Sequence, residues 1–250
     1  MRRTAFTLIE LLVAITIIVA LLAMIAPALD QAVNSAMLTR CLTNQHATTQ
    51  GLTLYLMDHR RTYPVIDIWW GLMGEKTSYN TEDVTTRPLN RYMGYSSDGS
   101  RVPVAQCPSD QGDEDMLVPN IFRHVGTSYL PAYSPDPNYY PSAVKSVFGH
   151  SGNYPDPVWG QFFRNPIAPA RHSQLEPPYT KVVSADWPWH GNRSTKNEQT
   201  RWHRPENQER LIVTLFADSH AELFNWDKEY VDPEHGGLET RPWDQGWKWW

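Results

Sequence analysis

Residues 5–29 read AFTLIELLVAITIIVALLAMIAPAL, and this stretch decides how the rest of the chain is interpreted. Residues 11–29 carry no charged side chain. A helix of that length spans about 28 Å at about 1.5 Å per residue, close to the hydrocarbon core of a bilayer. Arg2 and Arg3 are the only charges before Glu10. We therefore expect the N-terminus to stay in the cytoplasm and the remaining chain to lie outside it.

Three kinds of N-terminal segment fit this pattern. A cleaved secretory signal is the first, because Ala26-Pro27-Ala28 offers a small-x-small cleavage site. Its apolar core would, however, exceed the usual length of about 7–15 residues. An ordinary signal anchor is the second, but it leaves Glu10 unexplained, since a charge inside a membrane helix costs about 2.5–3.5 kcal/mol. The third is a processed assembly helix, in which the carboxylate has a function.

The residues around Glu10 resemble the processing motif of type IV pilins and type II secretion pseudopilins. The resemblance rests on the run Ala5-Phe6-Thr7-Leu8-Ile9-Glu10 after a short basic leader, and on Pro27. It implies that a membrane-embedded prepilin peptidase cuts between Ala5 and Phe6 and that the new N-terminus is methylated. The family usually has Gly before the cut, where this chain has Ala5. Pro27 takes the place of the family's helix-kinking Pro.

The same resemblance implies a structural subunit and no enzymatic activity. Such a subunit would first be a single-pass inner-membrane protein in contact with lipid, with its C-terminal head in the periplasm. It would then join other pseudopilin subunits on an inner-membrane assembly platform and become part of a pseudopilus or surface filament. Glu10 would pair with the Phe6 amine of a neighbouring subunit, which would repay its desolvation and fix the axial register.

The apolar segment continues into an amphipathic one. Apolar and small residues recur near helical spacing at Val33, Met37, Cys41, Thr48, Leu52, Tyr55 and Leu56. We predict a leader at residues 1–5, one helix over residues 6–58, and a globular head over residues 59–250. The helix would be transmembrane over 6–29 and amphipathic over 30–58, and Tyr63-Pro64 would end it.

The head is predicted to be a small antiparallel β-sheet with long loops, which makes the fold class α+β. Strand candidates are Lys181–Asp186 and Arg210–Phe216, and the second is expected to continue as a hairpin about Asp218-Ser219 to the region of Phe224. Residues 129–141, 153–157 and 193–208 have the composition of loops.

Further along, the chain resembles the pilin-like proteins abundant in Planctomycetes, Verrucomicrobia and Lentisphaerae. The matching stretches are Cys41-Leu42-Thr43-Asn44-Gln45, Cys107-Pro108-Ser109-Asp110 and Phe216-Ala217-Asp218-Ser219-His220. In that family the last stretch usually reads Asp-Gly-His, nine residues after another His. Here Ser219 replaces the Gly, and fourteen residues separate His203 from Asp218.

Two sets of side chains are candidates for covalent or metal chemistry. Cys41 and Cys107 are the only cysteines, which excludes a disulfide-dense scaffold and a four-cysteine zinc site. Because both are expected outside the cytoplasm, they are predicted to form a disulfide, with two buried free thiols as the alternative. Asp218, His220 and Glu222 alternate and would share one strand face. That face would suit a divalent cation such as calcium, or it is a solvated surface; no other cofactor is predicted.

Composition bounds the remaining functions. The net charge is −5 and no basic run exceeds Arg60-Arg61, which excludes a nucleic-acid partner. All eleven Trp lie at or beyond Trp69, with a cluster in residues 243–250. An alternative function is therefore a membrane-anchored Trp-rich module that binds glycan or protein, although Trp187 and Trp189 are expected in the core. A third alternative is an anchored metal-dependent hydrolase that uses Asp218, His220 and Glu222.

Overall fold

The chain forms one long helix that carries a small sheet against its C-terminal part. The computed structural model describes residues 7–66, 68, 70–79, 84–97, 99–113, 117–132, 147–149, 168–175, 178–189, 202–203 and 211–225. Helix α1 covers Leu8–Asp58 and helix α2 covers Ile121–Val125. The strands are β1 (Tyr129–Pro131), β2 (Val182–Asp186), β3 (Leu211–Phe216) and β4 (Ala221–Asn225). The predicted α+β class is confirmed.

Helix α1 has a side-chain cap at its start and a left-handed turn at its end. The Thr7 hydroxyl accepts a hydrogen bond from the Glu10 amide, and the Glu10 carboxylate accepts one from the Thr7 amide, which together form a capping box. After Asp58, Arg60 and Arg61 adopt φ values of 53° and 58°. This left-handed pair ends the helix before Tyr63-Pro64 is reached, so the proline is not the terminator that the sequence suggested.

Helix α1 has two lengths with opposite surroundings. Every side chain in residues 8–36 is exposed, and we call this length the stem. The length from Cys41 to Leu52 buries one face, and we call it the docking face; its buried residues are Cys41, Asn44, Gln45, Thr48, Gly51 and Leu52. Their spacing of three or four residues is that of one helical face.

The docking face is more polar than the apolar spacing suggested. The residues at helical spacing include Val33, which is 42% exposed, and leave out Asn44, which is buried. The Asn44 amide donates to the Gln106 carbonyl at 2.7 Å and to the Tyr129 hydroxyl at 3.3 Å. These bonds satisfy a buried polar group and connect α1 to the head.

The sheet has the order β1-β2-β3-β4 with antiparallel neighbours throughout. Strands β3 and β4 form the predicted hairpin, with Leu215 opposite Ala221, and both strands pack against α1. Strand β1 lies in a stretch that was predicted to be loop, because it is only three residues long and ends in Pro131. A proline is tolerated there because β1 is an edge strand and needs fewer amide donors.

Candidate functional site

The stem is the first candidate functional surface. Its apolar side chains face outward, as shown by Leu8 at 81% and Met24 at 75% exposure, and no described residue of the head covers it. The helix is long and apolar enough to cross a membrane. An apolar surface of this extent, left uncovered by the described residues, is suited to nonaqueous surroundings such as lipid or other helices.

Glu10 is the acidic residue at the beginning of the stem. Its Oε2 atom accepts a hydrogen bond from the Thr7 amide at 2.8 Å and another from the Thr7 hydroxyl at 2.6 Å. Within a single chain the carboxylate is therefore satisfied by its own helix start, a role that sequence reasoning missed. The Thr-x-x-Glu spacing was the signal that could have revealed it. The predicted processing residues Ala5 and Phe6 lie outside the described residues.

Pro27 lies inside the stem, and α1 continues through it. Proline has no amide hydrogen, so the carbonyl of Ala23 loses the donor that a helix normally provides. In a membrane or a helix bundle this leaves one weakened turn in the middle of the apolar length.

The second candidate site is a disulfide, which lies where α1 meets the head. The structure brings Cys41 and Cys107 together in a disulfide with their Cα atoms 5.1 Å apart. Both residues are 0% exposed, and the bond spans 66 residues of sequence. It fixes the first residue of the docking face to the turn that precedes α2.

A buried His–Asp pair lies beside this disulfide. Nε2 of His203 is 3.8 Å from the sulfur of Cys107 and 2.8 Å from Oδ2 of Asp186. The Val213 amide donates to the same carboxylate oxygen at 2.9 Å. Oδ1 of Asp186 has no hydrogen-bond partner among the described residues. Sequence reasoning treated Asp186 as the end of a strand and His203 as a weak family match, and it joined neither to the cysteines.

The Cys-Pro-Ser-Asp stretch organises the loops around the disulfide. The Asp110 carboxylate accepts hydrogen bonds from the amides of Gly112, Ile121 and Phe122 and from the Ser128 hydroxyl. Burial raises the pKa of Asp110 above its usual value, against the opposing effect of these four donors. Asp110 therefore holds the start of α2 close to Cys107, which gives the Cys and the Asp of this stretch structural roles.

The Asp218, His220 and Glu222 set is arranged differently from the prediction. Asp218 lies in the turn between β3 and β4 and not on a strand, so the three residues do not alternate along one strand face. Nδ1 of His220 lies 2.5 Å from Oδ1 of Asp218, and the His220 ring stacks on Phe216. Glu222 is exposed on β4. The pair formed by Asp218 and His220 closes the turn, and a cation at this hairpin stays a prediction.

The turn between β3 and β4 holds Ser219 in an unfavourable backbone conformation. Ser219 has a φ of 80°, which lies in the left-handed region that glycine occupies at little cost. A glycine at this position would adopt that backbone conformation at less cost than Ser219 does.

Two of the described tryptophans, Trp187 and Trp202, pack inside the head, and Trp70 is half-buried. Trp187 is 2% exposed and donates from its indole to the Asp113 carboxylate at 2.7 Å, and Trp202 is 3% exposed. Trp187 is therefore a core residue, as expected, whereas the side chain of Trp189 and the cluster at 243–250 lie outside what the structure describes. A surface pocket of about 400 Å³ is lined by Glu75, Lys76, Thr77, Ser78, Arg101, Gln106, Phe122 and Arg123. That lining contains no tryptophan for stacking on a sugar.

The N-terminal residues are similar to a known family. Residues 1–26 match the prokaryotic N-terminal methylation motif. No curated protein and no solved structure shows a significant match to the chain. The motif supports a type IV pilin-like or pseudopilin-like precursor, and together with the apolar helix it fits an inner-membrane anchor.

Proposed function

We propose that the chain is a pilin-like structural subunit, cleaved by a prepilin peptidase between Ala5 and Phe6 and assembled into a filament through its stem. The observation that carries the proposal is the exposed apolar stem, which begins inside the methylation motif at residues 1–26 and continues beyond it. A stem that the described residues of the head leave exposed is suited first to lipid and then to the stems of other subunits.

The start of α1 gives this proposal a specific mechanism. In the single chain, Thr7 satisfies the Glu10 carboxylate. Cleavage before Phe6 would create a positively charged amine next to Thr7. In a bundle of stems, the Glu10 carboxylate of one subunit then pairs with the Phe6 amine of another, which compensates both charges in an apolar surrounding. The pairing sets how far each subunit advances along the filament axis.

The head has a different part in the same mechanism. It is fixed to α1 by the Cys41–Cys107 disulfide and by the Asn44 hydrogen bonds. The stem can therefore move from the membrane into a filament while the head keeps its position on the helix. On this proposal the heads form the outer surface of a periplasmic or surface polymer.

The N-terminus of the native protein tests the cleavage step directly. We expect mass spectrometry of protein from its own host to show a chain that begins at Phe6 and carries one added methyl group. Loss of Arg2 and Arg3 would change the net charge of −5 to −7, since two positive charges leave. An Ala5→Gly variant, which restores the usual family residue, should be cleaved at least as completely, and Ala5→Leu should accumulate uncut.

The assembly step needs a separate measurement. We expect sheared or periplasmic material to contain a polymer of this chain, and the membrane fraction to contain its monomer. An intact Met1, or a chain that starts at Leu29, would contradict the processing step. Wild-type protein that never leaves the membrane fraction as polymer would contradict assembly and favour an anchored binding module.

A further inference from the structure

The contact between α1 and the sheet gathers side chains that are good metal ligands. Cys41, Cys107, His203 and Asp186 are each 3% exposed or less. The two sulfur atoms and one ring nitrogen of His203 all lie within 4.8 Å of one another. The stem does not use these groups, so the cluster is independent of the assembly function proposed above.

We propose that the reduced head binds one Zn²⁺ ion at Cys41, Cys107 and His203, and that the Asp186 carboxylate, which lies 2.8 Å from Nε2 of His203 in the oxidised state, moves in as the fourth ligand. The disulfide is then the oxidised, metal-free state of the same four side chains. Two thiolates, one imidazole and one carboxylate are all ligands that zinc accepts in a tetrahedral site. Whether the sulfurs bind zinc or each other, the docking face of α1 stays fixed to the turn before α2.

The distances are close to those that zinc needs. Bonds of about 2.3 Å to sulfur and 2.0–2.1 Å to nitrogen place tetrahedral sulfur and nitrogen ligands about 3.5 Å apart. The sulfur of Cys107 and Nε2 of His203 are 3.8 Å apart. The main rearrangement is the separation of the two sulfurs once their bond is reduced. Their Cα atoms, 5.1 Å apart, allow this by rotation of the side chains.

Two unsatisfied polar groups point independently to a ligand at this site. Oδ1 of Asp186 has no partner among the described residues although Asp186 is 1% exposed, and an unsatisfied buried carboxylate oxygen is costly. When Nε2 of His203 binds a metal it no longer donates to Asp186, whose Oδ2 keeps the Val213 amide and whose unpartnered Oδ1 is the oxygen left to bind the ion. Gln45 follows Cys41 by one helical turn, and its buried amide also has no partner in the described part of the chain. Such an amide suits a metal-bound thiolate as a hydrogen-bond donor.

Atoms and electrons balance in the conversion between the two states when an external disulfide is the oxidant. Zinc-bound Cys41 and Cys107 are both thiolates. An external disulfide accepts two electrons from them and leaves as two thiolates, while the Cys41–Cys107 bond forms and Zn²⁺ is released. Nε2 of His203, released from the metal, returns to hydrogen-bond distance of Asp186, 2.8 Å in the oxidised structure.

Cobalt substitution in the full chain tests the proposal. The protein is kept in detergent, reduced with a phosphine in guanidinium, and refolded without oxygen in the presence of Co²⁺. We expect one Co²⁺ per chain, with a thiolate-to-cobalt charge-transfer band and the visible bands of tetrahedral cobalt, both lost on adding Zn²⁺. The oxidised protein, treated in parallel, should show neither signal. Absence of the charge-transfer band in the reduced protein would overturn the proposal.

Variants distinguish this site from general thiol binding. His203→Gln should weaken Co²⁺ binding at least about tenfold, since loss of outer-shell partners alone costs about 10–100-fold. His220→Gln removes a half-exposed histidine of the same head and should leave the affinity unchanged. Unchanged affinity in His203→Gln, or weakened affinity in His220→Gln alone, would overturn the assignment.

X-ray absorption of the zinc-loaded wild-type protein does not depend on any variant folding. Two sulfur neighbours together with imidazole scattering would support the site. Four sulfur neighbours, which require two chains, or a shell of nitrogen and oxygen alone, would overturn it.

Discussion

The stem and the docking face are two lengths of one helix with opposite requirements. Residues 8–36 are all exposed, whereas the six buried residues from Cys41 to Leu52 pack against the head. The surroundings of the stem, lipid or other helices, set its sequence requirements, so its side chains need only be apolar and compatible with a helix. The docking face packs against particular residues of the head, so it can contain polar residues such as Asn44 where they form hydrogen bonds. Substitutions in the two lengths should therefore have separable effects.

The largest difference between an effect on assembly and an effect on the head is expected at Glu10. Glu10→Gln keeps the capping box, because Gln serves there as well as Glu, but it removes the charge that would pair with a neighbour's amine. Removing one partner of a buried ion pair costs about 3–5 kcal/mol, so polymer yield should fall more than about 100-fold. Head unfolding in denaturant should not change. Thr7→Ala, which removes the cap and keeps the charge, should still assemble; equal polymer from Glu10→Gln and wild type would refute the pairing.

A large effect confined to the head is expected at the disulfide. Replacing Cys41 and Cys107 together by Ser opens a loop closed across 66 residues, and chain entropy alone predicts a loss of about 4 kcal/mol. Guanidinium unfolding of the detergent-solubilised chain, followed by near-UV circular dichroism, measures this loss. Insertion of the stem into membranes should be unaffected. A loss below about 1 kcal/mol would mean that the bond contributes little to holding the head on α1.

Substituting one aspartate in the head and one in the stem compares how much each region contributes to the stability of the head. Asp110 accepts four hydrogen bonds in the head, whereas Asp30 is exposed in the stem. Asp110→Ala should destabilise the head by about 2–4 kcal/mol because buried donors lose their acceptor, and Asp30→Ala should change head unfolding by less than about 0.5 kcal/mol. Denaturant titration of the two variants gives both free-energy changes. Similar losses of stability would contradict the expectation that the stem contributes little to the stability of the head.

A gain of stability is expected in the β3–β4 turn. Ser219→Gly relieves a left-handed backbone at a φ of 80° and should stabilise the head by about 0.5–1 kcal/mol. Ser219→Ala keeps the Cβ atom and should give no gain. Thermal unfolding of the three proteins decides the matter, and a destabilised Ser219→Gly would show that the hydroxyl has a role of its own.

The smallest effect is a pH dependence that belongs to the head. Partial burial lowers the pKa of His124, whose ring stacks on Tyr79 with the centroids 4.0 Å apart. The unfolded chain then binds a proton more readily than the folded chain, so stability is lost as the pH falls below about 6.5. His124→Gln should lose less stability than wild type between about pH 7 and 5, by under about 1 kcal/mol after solvent screening. An NMR titration of the His124 ring checks the direction of the shift.

Sequence patterns predicted the periodic parts of this fold and missed its long-range contacts. The apolar run gave the long helix, and alternating apolar residues gave β2 and the β3–β4 hairpin. The helical spacing included Val33 and left out Asn44, because periodicity does not report which polar groups find partners. Strand β1 was missed because three residues ending in Pro131 carry almost no pattern.

The candidate sites divide in the same way. The motif around Glu10 is local, so its residues could be named from the sequence, and even its pairing with Thr7 was visible in the spacing. The cluster beside the disulfide was not visible, because His203 reaches Cys107 across 96 residues and Asp186 lies on a different element from both. The prediction that Asp218, His220 and Glu222 share one strand face was wrong for a third reason: Asp218 lies in the turn and not in the strand that the spacing assumed.

The position of Cys41 determines how a mechanical load would pass through the molecule. Any pull on the stem travels along α1 and reaches Cys41 before the other buried residues of the docking face. The disulfide then transmits the force to Cys107 and the turn held by Asp110, so the hydrogen bonds of Asn44 are not peeled away one by one. Force spectroscopy from the N-terminus to the head should therefore show a much lower rupture force after reduction. Equal rupture forces would mean that the noncovalent docking face bears the load alone.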